Sequence, residues 1–157
     1  MNQFPKLIAT FFGLGYISKA PGTFGASGGF LLSYCLLQSG LDFQMFHISH
    51  IFFVITAYFS GVWACSKLAD EWGHDPSRVV IDETMGFWIS ILFLPLHFYV
   101  LLTGFILFRF FDILKPFGIK KIDQLKSHHS VMLDDVVAGI YSNITLQIIL
   151  YFGKAYF

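Results

Sequence analysis

The chain is 157 residues long, 55% hydrophobic and 19% aromatic, with twenty Phe and a mean hydropathy of +0.65. Ten basic and ten acidic residues cancel to zero net charge with no long run of one sign, which excludes the electrostatic footprint of a nucleic-acid binder. The length fits a single domain over residues 1–157, and the aromatic excess exceeds what a soluble core of this size needs, so lipid is the expected solvent.

Phe4 to Ile17 is apolar but short and broken by Gly13 and Gly15, which places it at a membrane interface rather than across it. No charged segment followed by a small-residue cleavage site precedes it, so no removable signal peptide is expected. Phe24 to Leu41 opens with small residues, and Gly25 and Gly29 form a small-xxx-small pair that lets another helix approach closely. Phe46 to Ala64 is long enough to cross a bilayer, with His47 and His50 one turn apart at its far end, where an interfacial role is expected. Cys35 and Cys65 read as small buried hydrophobes rather than a bridge.

Thr84 to Phe108 contains no Asp, Glu, Lys or Arg, and hydropathy alone reads it as one span. Pro95 argues otherwise, because it removes a backbone donor and disfavours helix at Leu94. The alternatives are a kinked single span and a helical hairpin with Leu94-Pro95-Leu96-His97 at its tip. The hairpin is preferred on parity. It leaves Lys6, Lys19, Lys67, Arg78, Arg109, Lys115, Lys120, Lys121 and Lys126 on one face and only Lys154 beyond the last helix, Val136 to Phe152. Such an asymmetry marks the cytoplasmic side. Each arm is then a half-inserted or protein-buried helix. In the last helix Asn143 and Gln147 are candidates for interhelical hydrogen bonds.

Most of the charge sits in three islands, Lys67 to Glu83, Arg109 to Lys115 and Lys120 to Asp135. Asp82-Glu83 and Asp134-Asp135 are each placed at the start of a helix, where the dipole favours anions, and each is followed within about a turn by small residues, Gly86 or Ala138-Gly139. N-capping alone would explain one pair. Two pairs bordering apolar segments point to a shared ion site, and hard oxygen ligands suit Mg²⁺. His74, His128 and His129 read as loop residues, since no zinc-ligand spacing accompanies them.

Arg109, Asp112 and Lys115 recur every three residues, so a helix ended by Pro116 puts them roughly on one face. They read either as snorkelling cations with a counter-ion or as a phosphate clamp. Lys19 to Gly25 could turn backbone amides towards an anion, although a turn with a Thr cap explains it equally well. Neither cysteine is followed six positions later by Arg, no D-x-D pair occurs, and no phosphate-binding nucleotide loop is present.

Gly13-Leu14-Gly15 with APGTFG (Ala20 to Gly25), VVIDETMG (Val79 to Gly86), FRFFDILKP (Phe108 to Pro116) and VMLDDVVAG (Val131 to Gly139) together resemble the phosphatidylglycerophosphatase A family, in family order. The resemblance implies an all-α, multi-helical membrane-embedded bundle. It also implies Mg²⁺-dependent hydrolysis of phosphatidylglycerophosphate in phospholipid biosynthesis at the bacterial inner membrane. The substrate would be a phospholipid that stays in the bilayer. The site residues carried over are Thr23, Asp82, Glu83, Arg109, Asp112, Lys115, Asp134 and Asp135. Asp82, Glu83, Asp134 and Asp135 are the metal candidates and Thr23, Arg109 and Lys115 the substrate-binding ones; Asp112, Asp135, Arg109 and Lys115 are catalytic candidates. One departure is Lys126-Ser127-His128-His129-Ser130, where family members carry a Gly-rich turn. The rival reading is a small transporter or channel with the carboxylates as a cation site, and it leaves the Arg/Lys clamp unexplained.

Overall fold

The computed structural model describes residues 3–73, 76–125 and 127–153, so the expectations for His74, Lys126 and Lys154 lie outside the described residues. Seven helices and one 3-10 turn (Leu14–Tyr16) make up the regular structure, with no strand among the described residues. They are α1 (Gln3–Ala9), α2 (Pro21–Gln38), α3 (Phe43–Trp72), α4 (Ile81–Ser90), α5 (Phe98–Leu114), α6 (Ile119–Asp123) and α7 (Ser130–Gly153).

Local chemistry accounts for most of the boundaries. Pro21 opens α2, where its fixed φ suits the first turn and its missing N–H costs nothing. Asp42 caps α3 by accepting the Met45 N–H at 2.8 Å, and Gly73, at φ 84, ends it. At 30 residues α3 is about 45 Å long and outruns its apolar stretch, because the helix continues through the polar turns to Trp72. Helices α3 and α7 are both long and apolar enough to cross a membrane, and only 28% and 22% of their apolar windows are buried in protein. The apolar outer faces carry Phe52, Phe59, Ile144 and Ile148, each about half exposed or more. Cys65 is buried as expected, whereas Cys35 is exposed, because α2 packs through its glycine face and turns Cys35 outward.

The stretch from Thr84 to Phe108 is a hairpin. A Cβ on Gly86 would collide with Phe108, and Gly104 packs on Ile91 and Ser90, so early residues of α4 face late residues of α5. The chain leaves α4 at Ile91, earlier than Pro95 alone implies, and the exposed backbone of the turn is hydrogen-bonded by side chains of other helices. His47 accepts the Phe93 N–H at Nδ1 (3.2 Å), and its Nε2–H donates to the Leu94 carbonyl (3.1 Å). Asn143 Nδ2 lies 3.2, 3.1 and 2.9 Å from the carbonyls of Ile89, Ser90 and Leu92. Buried backbone groups need such partners. The interfacial role expected for His47 and His50 is therefore corrected: both are buried, and His50 bonds Ser33 Oγ at 2.8 Å on α2. Gln147 reaches Asn143 on its own helix rather than another one.

Helix α4 is only about 15 Å long but central, with every residue buried except Glu83, which is half-buried with its carboxyl turned inward. The Gly25/Gly29 pair lets it lie against α2, where Thr84 Oγ1 donates to the Gly25 carbonyl (2.8 Å) and Trp88 Nε1 to that of Gly29 (3.2 Å). Gly86 and Gly139 do the same for α4 and α7, since a Cβ on either would strike the other helix's backbone.

Candidate active site

The start of α4 is pinned before it presents any acid. The Val80 N–H donates to the Ala9 carbonyl at the end of α1 (2.8 Å), Gly15 packs on the Arg78 carbonyl, and Gly25 packs on Val80. Asp82 and Glu83 then occupy the first turn of α4, as expected, and the Glu83 N–H donates to Asp82 Oδ1 at 3.1 Å. The other acidic pair differs from expectation. Helix α7 begins at Ser130, whose N–H donates to Ser127 Oγ at 3.0 Å, so Asp134-Asp135 lies in the second turn and caps nothing. Ser127 of the preceding loop supplies the cap, so N-capping does not account for this acidic pair.

Asp82, Glu83, Asp112, Lys115, Asp134 and Asp135 line one cavity of about 230 Å³, walled by Val79 and Val131. Within it one carboxylate oxygen each from Asp82, Glu83 and Asp135 lie within 4.8 Å of one another. Asp82 is 6% and Asp135 3% exposed, and Glu83 Oε2 and Asp135 Oδ1 are buried without a hydrogen-bond partner. Burial first, then the charges of Asp82 and Asp112, push the Glu83 carboxyl well above the usual carboxylate range, while Arg109 pulls it back. Converging carboxylates with orphaned oxygens are what a hard divalent cation satisfies, so Asp82, Glu83 and Asp135 fit Mg²⁺.

Asp134 is not part of that triplet. Its Oδ2 accepts from Lys115 Nζ at 2.7 Å, and Lys115 also donates to Asp123. Burial pulls the Lys115 pKa down, and the two carboxylates overcome it, holding the group above the usual lysine range. On α5 Arg109 pairs with Asp112, one turn on, as the spacing implies, and its Nε is buried without a partner. The turn that opens α2 reaches the same place, for a Cβ on Gly22 would collide with Glu83 Oε1 and lie 3.2 Å from an Arg109 nitrogen. Thr23 stands beside Gly22, half-buried, but does not line the cavity. Neither Cys35 nor Cys65 lines it, and His129 bonds Tyr58 OH at 3.0 Å in the loop before α7, as a loop residue should.

Sequence reasoning missed Asp123 and the contact role of Gly22. The only signal for Asp123 was its position as the single acid beside Lys120 and Lys121 in a basic stretch; Gly22 sat inside a turn that read equally well as an anion cradle or as a turn with a Thr cap.

The model of the family described as phosphatidylglycerophosphatase A matches residues 7–150. A protein of Bacteroides thetaiotaomicron named "Putative phosphatidylinositol-3-phosphatase" is 41% identical over 147 residues, 92% of each chain. Proteins named phosphatidylglycerophosphatase A are similar too. That of Haemophilus influenzae is 40% identical, over 92% of this chain and 88% of the relative, and that of Escherichia coli 33%, over 87% and 77%. No solved structure matches significantly.

Proposed function

The chain belongs to the phosphatidylglycerophosphatase A family of phosphoric monoester hydrolases, and from that premise we propose that it hydrolyses phosphatidylglycerophosphate to phosphatidylglycerol and phosphate, with Mg²⁺, in phospholipid biosynthesis. The observation that carries the reading is the convergence of Asp82, Glu83 and Asp135, with orphaned oxygens on two of them, beside Arg109 and Lys115. A transporter would need the acids but has no use for two cations tied into the same acidic site. Family membership and two membrane-length helices go with membrane association. The finer placement, in the bacterial inner membrane with the cavity on the cytoplasmic side, rests on the exposed Lys19, Lys67, Arg78, Lys120 and Lys121 of the polar segments.

Asp82, Glu83 and Asp135 would hold the metal, which when bound polarises the phosphoryl group and acidifies a bound water. Arg109 offers a planar fork and Lys115 a point charge to the phosphate oxygens. Asp112, adjoining Arg109, orients the attacking water and takes its proton. A bond forms from the water oxygen to phosphorus, the ester P–O bond breaks, and the glycerol oxygen leaves with that electron pair and receives the proton that Asp112 took from the water. Thr23, half-buried beside Gly22 but outside the cavity lining, is assigned to substrate binding from the family motif alone. The lipid tails stay among the apolar outer faces, so the substrate need not leave the bilayer.

The test is phosphate release by purified protein from vesicles containing phosphatidylglycerophosphate, with Mg²⁺ or with chelator. Release that requires Mg²⁺ and survives thiol alkylation is expected; release that persists in excess chelator overturns the metal assignment. The name of the 41% identical relative makes phosphatidylinositol 3-phosphate the comparison substrate, and faster release from it would transfer the reading to that headgroup.

A further inference from the structure

Asp123 closes α6 and takes no part in the reaction outlined above, yet it accepts a hydrogen bond from Lys115, the same ammonium that donates to Asp134 Oδ2 at 2.7 Å. Two carboxylates from separate elements therefore hold one lysine, one inside the cavity lining and one outside it. Their settings differ. The Asp134 side chain is 8% exposed and lines the cavity, with its Oδ1 buried and unpartnered, whereas that of Asp123 is 30% exposed and lies outside the lining.

An anionic phosphoryl group entering the cavity meets Lys115 from the Asp134 side. It competes with Asp134 for the ammonium and leaves the bond to Asp123 in place. The carrier of Asp123 is itself held: Ile119 of α6 is fully buried, and Tyr141 of α7 donates to the Phe117 carbonyl at 3.2 Å just before α6. Lys120 and Lys121, on the same helix, are exposed and do not line the cavity. A lysine stem is flexible, and fixing it costs rotamer entropy that otherwise opposes binding.

We propose that Asp123 is a positioning residue for substrate binding, which tethers Lys115 at the cavity rim while its ammonium exchanges Asp134 for the substrate phosphate. The assignment rests on the phosphomonoester hydrolase reading. Asp123 does not touch the reacting atoms, so its removal acts on binding rather than on the chemical step.

The experiment compares wild type, D123N, D123E, K115M and the D123N/K115M double variant as full-length protein in phospholipid vesicles. It measures kcat and KM for phosphatidylglycerophosphate, and, without turnover, the shift in melting temperature caused by inorganic phosphate in the presence of Mg²⁺. D123N should raise KM about tenfold, the equivalent of one charge-assisted hydrogen bond, with kcat changed less than about twofold. D123E should restore KM, and D123N should add nothing once K115M is present. The phosphate-induced shift should shrink in D123N and at least as much in K115M. An unchanged KM, a loss that adds fully to that of K115M, or a D123N protein that does not fold would each overturn the proposal. A wild-type protein that binds phosphate but releases none from the lipid would defeat the substrate reading instead, leaving the phosphate shifts to judge Asp123.

Discussion

Buried carboxylates destabilise a fold unless a proton or a cation compensates them, and Glu83 and Asp135 each keep one oxygen buried without a partner. Asp82→Asn and Asp135→Asn should therefore fold and insert normally but lose turnover by about 100-fold or more, since even removal of groups that only support metal ligands costs 10–100-fold. Steady-state rates across a Mg²⁺ titration check this, and near-normal turnover in both variants at limiting Mg²⁺ would return these acids to a structural role. Glu83 also makes stability depend on pH. Its folded-state pKa lies above the ordinary 4.5, chiefly through burial and then the charge of Asp82, so the folded chain holds the proton more tightly than the unfolded one. Its contribution is then fully present below about 4.5 and is lost as pH rises through the folded value. In chelator the melting temperature should fall as pH is raised across that window, and Glu83→Gln should flatten the fall; an equal slope in the variant would assign the dependence to other groups. Gly22 matters at the same scale. Gly22→Ala places a methyl against Glu83 Oε1 and should cut activity far more than melting temperature, because the collision is with a site carboxylate rather than with core packing.

At the scale of single elements, α4 is too short to cross a bilayer and too apolar to sit in water, and it survives because four helices surround it. Its C-terminal end is held by Asn143, whose amide lies within 3.2 Å of the carbonyls of Ile89, Ser90 and Leu92, of which that of Ile89 also accepts the Leu92 N–H. Asn143→Leu should destabilise the protein by about 1–3 kcal/mol, the cost of leaving buried acceptors unsatisfied. Gln147→Leu, which removes only a bond to Asn143 on an exposed face, should cost less. Thermal unfolding of the two variants in the same detergent decides, and equal losses would mean that Asn143 does not cap α4. The same end of the hairpin depends on His47, which holds Phe93 at φ 61, a conformation uncommon for a bulky residue.

For the molecule as a whole, the hairpin brings all three charged islands to one end of the bundle, which a single span from Thr84 to Phe108 could not do. Single cysteines at the exposed Ser77 and Ser127, in a background without Cys35 and Cys65, should therefore label from the same side of sealed vesicles; labelling from opposite sides would separate the acids. Much of this was legible in the chain. Helices follow from apolar stretches bounded by Gly and Pro, the hairpin from Pro95, close helix packing from Gly25 and Gly29, and the candidate acids from their places in co-linear motifs, because each of these depends on residues near one another in sequence. Which acid meets which cation was not legible. Successive residues on a helix diverge by about 100°, so the adjacent Asp134 and Asp135 cannot serve one site in the same way: Asp135 joins Asp82 and Glu83, and Asp134 turns to Lys115. Nor could local pattern reveal the tie from Lys115 to Asp123, the caps that His47 and Asn143 place on a distant turn, or the burial of Glu83 beneath Gly22. Those depend on the phase and distance of helices far apart in sequence, and only their packing around α4 sets both.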